Sequence, residues 1–311
     1  MLHSHRRIAI PPETRFLIPL YQQRAEFGDL TDDGNRRELA TFITRRGSKF
    51  RDLGLDVRQV SREIVEGPPT VGSAAGILFR AYARRFDKER WGDKRPGYFS
   101  YIPELLRMFP DAQLIHLVRD GRDCVASLKR MPWWEHDSVV SMCVWAQAVD
   151  YCRRAGRRVG PQRYIELQYE QLVADPEPEL RRLCEFLEED FDPSMLTPHR
   201  VAGSAVPERK GWHSRTRETV DTAAIGGWRG QLEEWEISLM ELVCGGRLRR
   251  YGYPITGVGG RPPAAALARY ARVAANRRLA VAKRRFQDRR VQRHYQQPVA
   301  AQLTRGQLEK A

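Results

Sequence analysis

A chain of 311 residues with 41% hydrophobic and 30% charged content can bury one large core and need not be split into several domains. Lys and Arg number 53 against 39 Asp and Glu, a net charge of +14, and residues 261–311 alone carry 13 basic and 2 acidic side chains. There is no run of 18 apolar residues and MLHSHRR lacks an apolar signal core, so the chain as given predicts a cytoplasmic, soluble protein, with residues upstream of Met1 left open. Five scattered cysteines without a CxxC pair read as reduced core residues, and seven histidines without metal spacing predict no metal site.

In chain order, GNRRELATFITRR (34–46) and LDVRQVSREIVEG (55–67) read as helices separated by Gly and Asp. VGSAAG (71–76) is glycine-rich but lacks the Lys, Arg and Thr of a phosphate loop. It leads into the amphipathic ILFRAYARRF, so it reads as a helix start. FSYIPELLRMFPDA (99–112) is a further helix, ended by Pro110 and Asp111.

QLIHLVRDGRDCVASLKR (113–130) is the most informative stretch. Leu114, Ile115, Leu117 and Val118 form the continuous apolar run of an interior parallel strand, and Asp120 and Asp123 have the spacing of a helix-capping pair. Arg119 then stands at the strand's carboxyl end, with Ser127 eight residues on. The expectation is that Ser127 lies near a helix start, where free N–H groups and the helix dipole favour a phosphate. An ordinary capped strand-to-helix junction fits the same residues.

MPWWEHDSVV (131–140) follows as a loop whose Trp133 and Trp134 suit either contact with an acceptor or anchoring of the loop, with His136 a second candidate base. SVVSMCVWAQAVDYCRRAGRRV (138–159) reads as a long helix, with Met142 and Trp145 more suited to a core than to a cleft. Another apolar strand ends at Tyr169 and precedes an amphipathic helix carrying Leu180, Leu183, Cys184 and Leu187. Strands alternating with helices predict an α/β fold with a central parallel sheet, helices on both faces, and a ligand crevice at the strands' carboxyl ends.

The strand-to-helix stretch around Arg119 and Ser127 resembles the 3′-phosphate motif of sulfotransferases that use PAPS (3′-phosphoadenosine 5′-phosphosulfate). RWGDKRP (90–96), the YEQL loop after Tyr169, IGGWRGQL (225–232) and the opening MLHSHRRIAIPPETRF add to the resemblance, which favours the tyrosylprotein and bacterial branch and covers roughly residues 1–255. It implies a P-loop-NTPase-like three-layer sandwich and no metal. It also implies that Glu13 is the base toward the acceptor hydroxyl, although a Glu capping the next helix is an equal reading. Lys94 would lie beside the transferring sulfonate, and Arg119 and Ser127 would hold the 3′-phosphate. Tyr169 would lie near the adenine, Trp228 and Arg229 would close over the nucleotide, and Ser214 would be a weaker contact to the same leaving group. The implied acceptor is a hydroxyl on a peptide tyrosine, a carbohydrate, a lipid or a small molecule.

The chain departs from that pattern at its start: the family's first strand and P-R-S-G-T-T loop for the 5′-phosphosulfate have no counterpart here. Each hydrogen bond to a charged group contributes roughly 1.5 to 3 kcal/mol, so losing two or three would remove on the order of 3 to 9 kcal/mol of donor binding. A noncatalytic, degenerate relative whose basic tail binds nucleic acid or anionic membrane is therefore the rival expectation. The glycine-rich TGVGGRPP (256–263) reads as a linker, followed to residue 311 by a basic, mostly helical tail suited to an anionic surface or to packing on the enzyme.

Overall fold

Two pairs of short parallel strands carry the β-structure of the computed structural model, which describes residues 1–201 and 219–303. The chain divides into two compact units, one of residues 1–112, 190–220 and 287–311, the other of residues 113–189 and 221–286.

In the first unit β1 (Ile8–Ala9) lies parallel to β2 (Arg90–Trp91), with Ile8 opposite Arg90 and Ala9 opposite Trp91. Helices α1 (Leu17–Gln22), α2 (Asp33–Thr44), α3 (Val57–Glu66), α4 (Val71–Arg84) and α5 (Ile102–Met108) build the rest. Three of them start where a side chain accepts an otherwise unpaired N–H: Asp32 from Asn35, Asp56 from Gln59 and Thr70 from Ser73. The apolar faces of α2 and α3 place Leu39, Ile43, Val60 and Ile64 in a core with Leu20, Tyr21 and Phe79. VGSAAG is the first turn and a half of α4, as its sequence suggests, and its glycine has a packing reason. A Cβ on Gly72 would stand 2.5 Å from the backbone nitrogen of Ala301 and 2.6 Å from the carbonyl of Val299.

That contact shows where the end of the chain goes. The segment read as a linker and basic tail supplies Tyr295 and Val299 to this unit's core. Gly72 N donates to the Val299 carbonyl at 3.0 Å, and Ala301 N to the Met108 carbonyl at 2.8 Å. Asp288 accepts from Arg24, 1% exposed, at 2.9 Å and from Arg107.

In the second unit β3 (Leu114–Val118) lies parallel to β4 (Tyr164–Gln168) over five paired positions. Helix α6 (Gly121–Lys129) follows β3, α7 (Ser138–Val159) crosses to β4, and α8 (Tyr169–Ala174) and α9 (Pro176–Leu187) follow β4. Helices α10 (Glu234–Arg250) and α11 (Ala264–His294) complete the described helices, α11 belonging to this unit as far as Phe286. Met142 and Trp145 are core residues, together with Val118, Val125, Met240 and Leu248. The continuous apolar run of β3 predicts burial on both faces, yet Ile115 and Leu117 are exposed, at 36% and 50%. The side chains on that face meet too few of the described residues to be covered.

Candidate functional site

Residues of the first unit bring together one pair that the sequence singles out. Glu13, between β1 and α1, and Lys94, three residues past β2, form an ion pair at 2.5 Å. The lysine side chain is 61% exposed and the glutamate 34%, so the pair is solvated and stabilises the fold little. Both groups are open to an incoming molecule.

Beneath them lies a network the sequence does not announce. Tyr98 donates its hydroxyl to Asp93 Oδ2, and Thr14 Oγ1 lies 3.5 Å from the same oxygen. The other carboxyl oxygen, Oδ1, is shielded from water and has no hydrogen-bond partner among the described residues. Burial therefore pushes the Asp93 carboxyl up from its ordinary 3.8 to about 6. A carboxyl raised in the folded state binds its proton more tightly there than in the unfolded chain. Stability should thus be greatest below the unfolded value and fall by roughly 2 to 3 kcal/mol as pH rises through about 6. Denaturant melts of the natural protein and Asp93→Asn, compared at each pH across this range, should show the natural protein losing that amount relative to the variant.

The second unit holds the Arg119 group. Arg119 directly follows β3 and its guanidinium lies over the Tyr169 ring, 4.7 Å from the centroid. Nη2 donates to the Ala224 carbonyl and stands 4.0 Å from Asp123 Oδ2. Nε is buried and has no hydrogen-bond partner among the described residues. A buried, permanently charged donor without an acceptor suits an anionic ligand oxygen, as a 3′-phosphate would supply.

The helix that follows differs from its sequence reading in two ways. Ser127 lies in the last turn of α6, not near its start, because the helix begins at Gly121 and ends at Lys129. Its hydroxyl is half-buried and bonds to no described residue. Carboxylates of the chain already take two of the donors at the amino end of α6. Asp120 accepts from Arg122 N at 2.9 Å, and Glu170 takes Asp120 N at 2.9 Å, the place a capping box would give to Asp123.

Asp123 is instead the residue that sequence reasoning missed. Its two oxygens accept from Gly226 N at 2.8 Å and Trp228 N at 3.0 Å, which fixes the Gly-Gly-Trp-Arg turn (226–229) against α6. Acceptor and donors lie more than 100 residues apart, so local spacing held no trace of the pairing. Trp228 is 2% exposed and sits in the core, with the Arg122 guanidinium 4.1 Å from its ring centroid. Burial leaves it no face for a nucleotide, so it anchors the turn. Arg229 is exposed, 4.6 Å from the same ring. Tyr169 opens α8, one residue past the strand it was expected to end. Ser214 lies outside the described residues.

Trp134 Nε1 donates to Ser141 Oγ at 2.9 Å and so anchors its loop, whereas Trp133 is half exposed. His136 is exposed, edge-on to Trp134. In the β3–β4 pair, burial alone would raise the Glu166 carboxyl, but hydrogen bonds from His116, Tyr164 and Tyr251 overcome it and bring it down to about 2. That group is structural. All five cysteines are free, and burial raises the Cys124 thiol to about 12, far from a reactive thiolate. No His, Cys, Asp and Glu cluster suited to a metal occurs among the described residues.

Comparison with known proteins gives this geometry a context. The chain is 28% identical over 168 residues to protein-tyrosine sulfotransferase A of Caenorhabditis elegans, covering 52% of this chain and 44% of that protein. It is 37% identical over 111 residues to omega-hydroxy-beta-dihydromenaquinone-9 sulfotransferase of Mycobacterium bovis, covering 30% of this chain and 27% of that one. The chain spans about half the length of the tyrosine sulfotransferases it matches. Among solved structures, the sulfotransferase domain of the Synechococcus PCC 7002 olefin synthase superposes with a TM-score of 0.58 over 82% of this chain and 89% of that domain, at 23% identity. The parallel strands and their helices are thus an α/β fold of the P-loop-like kind. The model of the sulfotransferase family matches residues 1–193, well over half of the sequence, and the chain belongs to that family.

Proposed function

We propose that the protein transfers a sulfonate group from PAPS to a hydroxyl acceptor and releases 3′-phosphoadenosine 5′-phosphate. The observation that carries this reading is Arg119, a guanidinium held by the Ala224 carbonyl and the Tyr169 ring with its buried Nε still unpaired. In this reading Arg119 and Ser127 bind the 3′-phosphate, Tyr169 supports the adenine side, and Arg229 adds charge on the turn that Asp123 holds. PAPS supplies the sulfonate as an electrophile with a good leaving group.

Glu13 takes the acceptor's hydroxyl proton, and Lys94 stabilises the negative charge that grows on the bridging oxygen. Their mutual ion pair at 2.5 Å holds the two side chains beside each other until the acceptor arrives. The acceptor is a hydroxyl of peptide, carbohydrate, lipid or small-molecule origin. Similarity to proteins named for tyrosine and for a menaquinone lipid supports that breadth.

Calorimetric titration with 3′-phosphoadenosine 5′-phosphate and with 5′-AMP tests the reading, because only the first carries the phosphate that Arg119 would read. The natural protein should prefer the bisphosphate. Arg119→Ala should weaken its binding by about 1.5 to 3 kcal/mol and leave 5′-AMP nearly unchanged. Equal loss for both nucleotides would sink the assignment.

A further inference from the structure

Helix α11 carries apolar and basic residues on both its sides: inward, Tyr270 packs on the core of unit 2 and Val281 is buried. Arginines lie along the side packed against unit 2: Arg269 pairs with Asp137, Arg277 donates to Gln147 Oε1 at 2.8 Å, and Arg285 lies 5.5 Å from the Tyr151 ring centroid. The outward side carries apolar residues as well. Ala268, Ala271, Ala275, Leu279, Ala282 and Phe286 are all exposed, at the three- and four-residue intervals that place side chains on one helical face. Leu279 is 67% exposed and Phe286 62%. At 1.5 Å per residue the stripe is about 27 Å long.

Charge borders the stripe. Turning 100° per residue, Arg272 and Lys283 fall on one flank and Arg278 on the other, all three exposed. The sole acidic residue of α11, Asp288, is held by Arg24 and Arg107 and adds no negative charge to the outer face.

We infer that this outer face of α11 is a docking surface for an anionic lipid bilayer, with Leu279 and Phe286 entering the headgroup boundary and the flanking cations meeting lipid phosphates and carboxylates. Charge complementarity selects this occupant. A second copy of the chain would set Arg272, Arg278 and Lys283 against their own kind with no acid to pair them. A nucleic acid would satisfy the cations but leave the apolar centre of the stripe facing charged backbone. An anionic bilayer satisfies both, its phosphates and carboxylates meeting the cations and its headgroup boundary taking up Leu279 and Phe286. The inference is independent of the sulfonate-transfer reading, since it uses none of those residues.

Co-sedimentation of the full chain with vesicles tests it, comparing phosphatidylcholine alone with phosphatidylcholine containing phosphatidylserine. The expected result is binding to the phosphatidylserine vesicles that weakens with salt, and at least about a tenfold loss in Leu279→Ser/Phe286→Ser. Both side chains are exposed, so the variant should keep the natural melting temperature. Arg272→Gln/Lys283→Gln should lose the preference for phosphatidylserine. Vesicle binding unchanged in the serine variant would overturn the inference. So would duplex RNA or DNA binding more tightly than vesicles and ignoring the apolar substitutions, or a concentration-dependent dimer that those substitutions abolish.

Discussion

Arg122→Ala should destabilise the protein by about 3 to 5 kcal/mol, the cost of breaking a buried ion pair while its partners stay buried. Arg122 is 1% exposed and divides its donors between Asp120, Glu241 at 2.7 Å and the Pro254 carbonyl at 2.8 Å. Removing it takes the cation from two carboxylates that are themselves 9% and 5% exposed. Arg122→Lys should recover only part of the loss, because an ammonium cannot reach both carboxylates with the planar fork of a guanidinium. Denaturant melts measure both variants. Were Arg122→Ala to cost less than about 1 kcal/mol, the network would have to be wet and weak, as solvated ion pairs are. The network has a pH signature as well. Burial alone would raise the Glu241 carboxyl, but hydrogen bonds from Thr256, Gly257 N and Arg122 hold it below its ordinary value. Its contribution is therefore present above the unfolded carboxylate range and is lost as pH falls through the depressed folded value.

Lys94→Ala should lower kcat on the order of 100- to 1,000-fold while leaving the affinity for 3′-phosphoadenosine 5′-phosphate within a few-fold, as expected of a group that acts mainly on charge developing in the transition state. The side chain is 61% exposed, so a matching drop in melting temperature is not expected. Lys94→Arg should restore part of the rate. Glu13→Gln should also slow turnover, as loss of a general base does. A sulfonate-transfer assay with PAPS and a tyrosyl peptide, run beside a lipid alcohol, gives these numbers and ranks the acceptors. If Lys94→Ala turned over as fast as the natural chain, Lys94 would be a surface lysine whose ion pair with Glu13 has no chemical role.

Local features of the chain were legible. Helix α7 occupies the stretch its periodicity marks, 138–159, and Thr70 caps α4 where the glycine-rich segment suggests a helix start. The β3-to-α6 junction was legible because an apolar run and an Asp at the cap are determined within a dozen residues. Relations between distant residues were not. Asp123 looks like a capping partner locally, and only the folded chain brings Gly226 and Trp228 to its oxygens. Burial of Trp228 rests on Arg122 and helices α6, α7 and α10, so a motif reading put the ring beside a ligand when it belongs to the core. The carboxyl-terminal segment looked like a loose tail because its apolar residues are sparse. Its attachment depends on Asp288, on Tyr295 and Val299, and on backbone hydrogen bonds that any sequence can make.

The return of residues 287–303 to the first unit bears on how the protein is made. The strip beside Gly72 and Met108 is not filled until Val299 and Ala301 have been synthesised, nearly 200 residues after residue 112. At about 5 to 20 residues per second, that delay is roughly 10 to 40 s. Throughout it the nascent unit exposes the slot that Tyr295 and Val299 will occupy.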